Sequence, residues 1–312
     1  MYIVTKNWYT EQVSQLQSHK GTTTLLERLL LKVARKWVSG NTYNDALSSS
    51  ISSNNKGIHA ILNFLGEDDT NKRSIEQTVK EYLLLLDLLH SNFIKGCISV
   101  KPTQVGLRID YDTCLYNFRQ IAEKAKSLNR FMWIDIESIQ FVEDTIAIYL
   151  ELLKDYKQTG VAIQSYLKRS SSDLLHLLEQ GANVRLVKGA YREGENVAFQ
   201  SMQKINSNFS KLMKMLFDHN NKSSNIFAIA THDSRLIDEA LELSTKYDTD
   251  KNQLEFQMLM GIHDDLKKIL IDRGFKVCEY IPYGSRWLPY SIRRIRERKR
   301  NILLLARSLI SS

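Results

Sequence analysis

Tyr290, Arg293, Arg294 and Glu297 stand three and four residues apart near the C-terminus. On a helix they share one face. That face carries two guanidiniums, a phenol and a carboxylate. Paired guanidiniums grip a carboxylate or a phosphate bidentately. The same spacing also suits a solvated basic helix or a contact with an anionic surface. Gly284 marks a turn just upstream, and Tyr283, Trp287 and Tyr290 add aromatic surface beside it. A second cluster runs Val184-Arg185-Leu186-Val187-Lys188-Gly189-Ala190-Tyr191. It reads as a strand with two inward-capable cations, then small residues that let a flat ligand approach the backbone. Cations beside a flavin would stabilise its reduced, anionic form. A strand with edge cations and an ordinary turn is the plainer reading.

These residues need elements to position them. Short apolar runs at 58–64, 97–101, 131–136, 161–165, 184–188, 226–230, 254–258 and 276–281 are each followed by a helix-like stretch. The helical stretches are 72–91, 110–128, 139–157, 169–180, 196–219, 233–247, 262–272 and 288–308. Strand and helix in alternation predict a parallel sheet. Eight such units predict a closed (β/α)8 TIM barrel with extra N-terminal helices, with an open doubly wound sheet as the alternative. Residues 1–55 form an N-terminal helical segment in this reading, and 56–312 the barrel. Within that segment, the Ser/Asn stretch from Leu47 to Asn55 reads as a loop or mobile linker.

A TIM barrel places its chemistry at the C-terminal ends of its strands and in the loops that follow. Lys101, Asp135, Gln164, Arg185, Lys188, Thr231, His232, Gln257 and Tyr280 stand there on otherwise apolar runs. Each could be a salt bridge that closes the barrel interior. Polar residues at so many strand ends favour a site, because a buried charge needs a partner.

Several classes are excluded. No G-x-G-x-x-G follows a strand, no P-loop is complete, and no H-E-x-x-H, paired-Cys spacing or G-x-S-x-G elbow appears. The three cysteines, Cys97, Cys114 and Cys278, suit buried, inert thiols in a reducing cytosol. No run reaches the ~20 apolar residues that span a bilayer. The net charge of +8 permits an anionic partner. Arg293, Arg294, Arg296, Arg298, Lys299 and Arg300 crowd one stretch, so a basic protein that binds a membrane or nucleic acid is the non-enzymatic alternative. No nucleic-acid motif supports the nucleic-acid version.

Seven stretches in order carry a resemblance. They are Ser99-Val100-Lys101, Trp133-Ile134-Asp135, Gln164-Ser165-Tyr166, the run Arg185 to Tyr191, Ala230-Thr231-His232, Glu255-Phe256-Gln257-Met258-Leu259, and Tyr280-Ile281-Pro282-Tyr283-Gly284 through Tyr290, Arg293, Arg294 and Glu297. Together they make the chain resemble the proline dehydrogenase family, in its monofunctional bacterial form. The resemblance implies a distorted barrel that holds FAD non-covalently. It implies oxidation of L-proline to Δ1-pyrroline-5-carboxylate, the first step of proline breakdown to glutamate, with electrons passed to a quinone. By the same resemblance Lys101, Arg293 and Arg294 would hold the proline carboxylate, with Asp135 and Glu297 nearby to balance the charge. Tyr280, Tyr290 and Leu259 would wall the ring, with Tyr191 next to it. Arg185, Lys188, Gln164, Gly189, Ala190, Thr231 and His232 would hold FAD, and no metal is expected. A cytoplasmic protein touching the inner face of the membrane is the expected location. Another cyclic amino acid such as hydroxyproline is the alternative substrate, against which the bulk of Tyr280 argues. The chain departs from the commoner family pattern at Pro102, Arg192 and Asp233, outside the carboxylate clamp.

Overall fold

Parallel strands covered on both faces lose the polar–apolar alternation of a half-exposed sheet and become apolar runs. That is the pattern the fold explains. The computed structural model describes residues 37–220, 225–287 and 290–291. It begins with helix α1 (Tyr43–Asn55). Eight strands then follow: β1 (His59–Phe64), β2 (Gly96–Val100), β3 (Met132–Ile134), β4 (Thr159–Gln164), β5 (Asn183–Val187), β6 (Phe227–Ala230), β7 (Leu254–Leu259) and β8 (Lys276–Tyr283). Helices α2 (Lys72–Ser91), α3 (Tyr111–Ser127), α4 (Val142–Asp155), α5 (Ser170–Glu179), α6 (Met202–Asn220), α7 (Ser234–Lys246) and α8 (Asp264–Asp272) connect them. All neighbouring strands pair in parallel, and β1 pairs with β8, so the sheet is a closed barrel.

Side-chain alternation sorts each strand into an outer and an inner set. On β7, Leu254, Phe256 and Met258 join the large core shared with the helices. Glu255, Gln257 and Leu259 alternate with them and face the lumen. On β3, Trp133 fills the middle of the lumen with Ile61, Cys97, Ala228 and Cys278. Gly160 on β4 makes room for it, since a Cβ there would lie 2.3 Å from the Trp133 ring. The cysteines are buried and free.

The Ser/Asn stretch is helical, which corrects the loop expected there. Thr42 and Asp45 form a capping box at the start of α1. Ser50 and Ser53 return their hydroxyls to the carbonyls of Ala46 and Ser49, at 2.7 and 3.0 Å. Packing supplies what propensity lacks. Ala46 enters the core, Ser53 donates to Glu279 of β8 at 2.6 Å, and Asn54 bonds both ways with the Lys95 backbone. α1 thus lies against both β8 and β1 and covers the seam where the barrel closes. A second correction is smaller. The helix expected from 196 begins at Met202, because 197–199 is tied back to the loop after β4.

Candidate functional site

Strand ends that converge on one mouth bring Lys101, Asp135, Arg185 and Tyr280 together. Asp135 follows β3, Lys101 follows β2, Arg185 is on β5 and Tyr280 on β8. The Asp135 carboxylate accepts from Lys101 Nζ at 2.7 Å, Tyr280 OH at 2.7 Å, Ser99 Oγ at 2.6 Å and Arg185 Nη2 at 2.5 Å. Burial alone would raise its pKa, but Lys101 and Arg185 hold it well below the usual carboxylate range. Burial would likewise depress Lys101, and Asp135 holds it above the ordinary lysine value. Tyr280 is pushed far up by burial and by the Asp135 charge, so its phenol stays protonated. Two cations and one carboxylate leave this cluster one positive charge in excess. Lys101 also donates to Tyr280 OH at 3.2 Å and Asn63 Oδ1 at 3.4 Å. Both contacts are long, so an incoming anion can replace one of them.

Arg185 is held on several sides. Its guanidinium also donates to Ser99 Oγ at 2.9 Å and to Gln257 Oε1 at 3.4 Å, and lies over the Trp133 ring at 5.0 Å. Gln257 in turn donates to Glu255 at 2.9 Å, and Glu255 pairs with Lys276 at 2.5 Å. Charges of alternating sign therefore run up the lumen: Lys276, Glu255, Arg185, Asp135, Lys101.

The remaining expected residues ring this centre. Gln164 ends β4 and donates to the Ile136 and Glu137 carbonyls at 3.3 and 3.2 Å, while its buried Oε1 has no partner among the described residues. Gly189 has φ +105°, and a Cβ there would lie 2.1 Å from the Tyr166 ring. Only a glycine lets that backbone lie against the aromatic ring. Lys188 pairs with Asp233 at 2.9 Å, and Thr231 Oγ1 accepts from the Asp233 amide at 3.2 Å. His232 Nε2 accepts the Leu259 amide N–H at 2.9 Å. A neutral His232 therefore carries its proton on Nδ1. Ala190 and Tyr191 are half-buried in the loop after β5, and Tyr191 OH reaches Glu67 at 3.4 Å. Leu259 closes β7, and Tyr290 is buried with Val38 and Leu65. Arg293, Arg294 and Glu297 lie outside the described residues.

Sequence reasoning missed Glu137, Asn63 and Trp37. Glu137 is buried and accepts from the Thr103 amide and hydroxyl, both at 2.8 Å. Burial lifts its pKa to about 7 against those bonds. Asn63 gave one signal, as a lone amide in an apolar strand.

The mouth can therefore bind a small carboxylate at Lys101 and a flat heterocycle along the ends of β4 and β5. The Gln164 oxygen, without a partner among the described residues, fits a ring that carries an N–H donor. Among the described residues, no group of three His, Cys, Asp or Glu side chains could hold a metal ion. No helix among them is long and apolar enough to cross a membrane.

A family model described as "Proline dehydrogenase" matches residues 46–305. The chain is 31% identical over 277 residues to "Proline dehydrogenase 1" of Bacillus subtilis (strain 168), covering 89% of this chain and 90% of the relative. It is 31% identical over 307 residues to "Proline dehydrogenase" of Deinococcus radiodurans, covering 97% and 98%. Among solved structures it resembles proline utilization A from Bdellovibrio bacteriovorus, inactivated by N-propargylglycine, with a TM-score of 0.78 at 23% identity. That match covers 85% of this chain and 32% of the other, so the chain spans about a third of that protein and the likeness speaks to fold.

Proposed function

The chain belongs to the proline dehydrogenase family, and on that premise we propose that it oxidises L-proline to Δ1-pyrroline-5-carboxylate with bound FAD, passing electrons on to a quinone. The observation that carries this reading is the Asp135 cluster, one positive charge in excess beneath an aromatic wall at the barrel mouth. An amino acid with a carboxylate and an apolar ring matches both halves of it.

Lys101 takes the carboxylate, exchanging one of its long contacts for it, and Arg293 and Arg294 complete the clamp. Asp135 keeps Lys101 charged and holds Arg185 in place without cancelling them, and Glu297 balances the two arginines. Tyr280, Leu259 and Tyr290 wall the ring, with Tyr191 beside it. Their task is positioning, which can account for ~7–11 kcal/mol of a barrier when reacting atoms are held in line. Bound FAD supplies the hydride acceptor. Arg185 would lie toward its reactive edge, and Gln164, Lys188, Gly189, Ala190, Thr231 and His232 would hold the rest. The hydride leaves C5 with its electron pair, the nitrogen lone pair forms the C=N bond, and the nitrogen proton goes to solvent. The amine must therefore be neutral, and cations around the pocket favour that form. No general base is required.

The catalytic unit in this reading is the barrel from residue 56, with 1–55 as the N-terminal helical segment. The basic stretch at 293–300, outside the described residues, would give peripheral contact with anionic lipid, where a quinone resides. The test is an anaerobic absorbance spectrum of the purified protein before and after adding L-proline. Flavin absorbance that bleaches with proline supports the reading. Flavin absorbance that stays unchanged removes proline as substrate, and a protein that takes up no FAD removes the flavin reading altogether.

A further inference from the structure

Residues 37–40 run beside the C-terminal end of β8 before α1 begins. Ser39 donates its amide N–H to the Pro282 carbonyl at 2.9 Å, and Gly284 donates to the Gly40 carbonyl at 2.9 Å. The segment is thus strapped along the end of β8. Its first two described residues serve different walls. Trp37, 4% exposed, packs with Leu259 and Ile262, and Tyr280 packs against that cluster. Val38 packs with Leu65 and Tyr290, and Trp287 packs against those. We propose that Trp37 is a positioning residue that sets how closely Leu259 and Tyr280 close on the substrate ring. The proposal rests on the reading of those two residues as the ring's walls.

The two walls are anchored unequally, and the difference locates the effect. The Leu259 backbone is fixed on both sides: its N–H goes to His232 at 2.9 Å and its carbonyl accepts from Lys267 at 3.1 Å. Its side chain has no such anchor and depends on what packs against it, Trp37 and Ile262. Tyr280 is held at its hydroxyl by Asp135 at 2.7 Å and Lys101 at 3.2 Å, while the body of its ring leans on the same cluster. An indole is the largest filler available, and its removal leaves a space into which both side chains can retreat. Lys101, Asp135 and Arg185 hold one another through bonds that do not involve Trp37. Loss of Trp37 should therefore weaken discrimination by ring size, leaving cofactor binding as it was.

The experiment compares kcat/KM for L-proline with that for L-pipecolate, whose ring is one methylene larger, in the full-length protein and in Trp37→Ala. One methylene in an apolar pocket is worth about 10–200-fold in discrimination, so the proline preference should fall about tenfold, with flavin content and spectrum unchanged. A folded, flavin-loaded Trp37→Ala protein with the parent's ratio would overturn the proposal, since a merely structural residue would lower stability and leave the ratio alone. Trp37→Leu and Trp37→Phe keep the position apolar and decide the matter if the alanine variant does not fold. A ratio that declines from parent to Phe to Leu supports the proposal, and a flat series rejects it. Failure of the parent to oxidise proline is seen first, and counts against the proposed function rather than against Trp37.

Discussion

Asp135→Asn changes one atom in the residue on which the mouth is built. The carboxylate has an acceptor for Lys101 and Tyr280 on one oxygen, and for Ser99 and Arg185 on the other. Asparagine keeps only one of those oxygens. Whichever way it turns, its NH2 group faces two donors, and two buried cations lose their counter-charge. Removing one partner from a buried ion pair typically costs about 3–5 kcal/mol. At about 2 °C per kcal/mol for a chain of this size, the melting midpoint should fall by about 6–10 °C. The pH dependence follows from the depressed carboxyl. Its contribution is present in full above the unfolded-state value of about 4. It is lost as pH falls through the lower folded-state value. Denaturant melts at stepped pH should show a parent–variant gap that is constant between about pH 5 and 8 and narrows below about pH 4. A neutral-pH midpoint within about 1 °C of the parent, or a gap that stays wide in acid, would show that the cations do not depend on Asp135.

Glu137 has the opposite sign. Its folded-state pKa of about 7 lies above the unfolded one, so the parent should lose about 3 kcal/mol relative to Glu137→Gln as pH rises from about 4.5 to 7, with no further change above. Paired melts across that range would reveal it, and a flat difference would refute it. Gly160→Ala places a Cβ 2.3 Å from the Trp133 ring. It should cost at least about 1–3 kcal/mol and displace the ring under Arg185, visible in near-UV circular dichroism. Lys267→Met strands the buried Glu279 carboxylate and should cost about 3–5 kcal/mol, most of it recovered in the double variant Lys267→Met/Glu279→Leu. Proline turnover should rise with pH as the substrate amine loses its proton. A rate that is flat or falling up to pH 9 would contradict hydride loss from the neutral amine.

The barrel was legible because strands buried on both faces stand out as apolar runs punctuated by polar ends, and those ends proved to be the mouth. Lys101, Asp135, Arg185 and Tyr280 could be found this way, since a charged or polar group on an otherwise apolar run demands a partner. What escaped depended on partners far away in sequence. The Leu47–Asn55 part of α1 looked like a linker because serine and asparagine are poor helix formers, and the capping box, β8, β1 and the Lys95 backbone make the helix hold. Glu137 follows Asp135 by two residues and looked like ordinary loop polarity until Thr103 enclosed it. Trp37 ends an apolar repeat at helical spacing that begins at Leu25, and that pattern gave no hint of Leu259, Ile262 and Tyr280, its distant neighbours in the fold. Lys267 sat among other lysines and acids on an amphipathic helix. Nothing in that spacing marked it as the one that turns inward to Leu259 and Glu279.

The seam between β1 and β8 also sets a timetable for synthesis. β1 ends at Phe64, and the strand that must pair with it begins at Lys276. At ~5–20 residues per second, the ribosome takes about 10–40 s to deliver that partner. Through that interval α1 has no Glu279 to bind and β1 shows an unpaired edge of the kind that recruits other chains. A chaperone that masks strand edges should raise the yield of this protein most when it acts on nascent chains shorter than 276 residues.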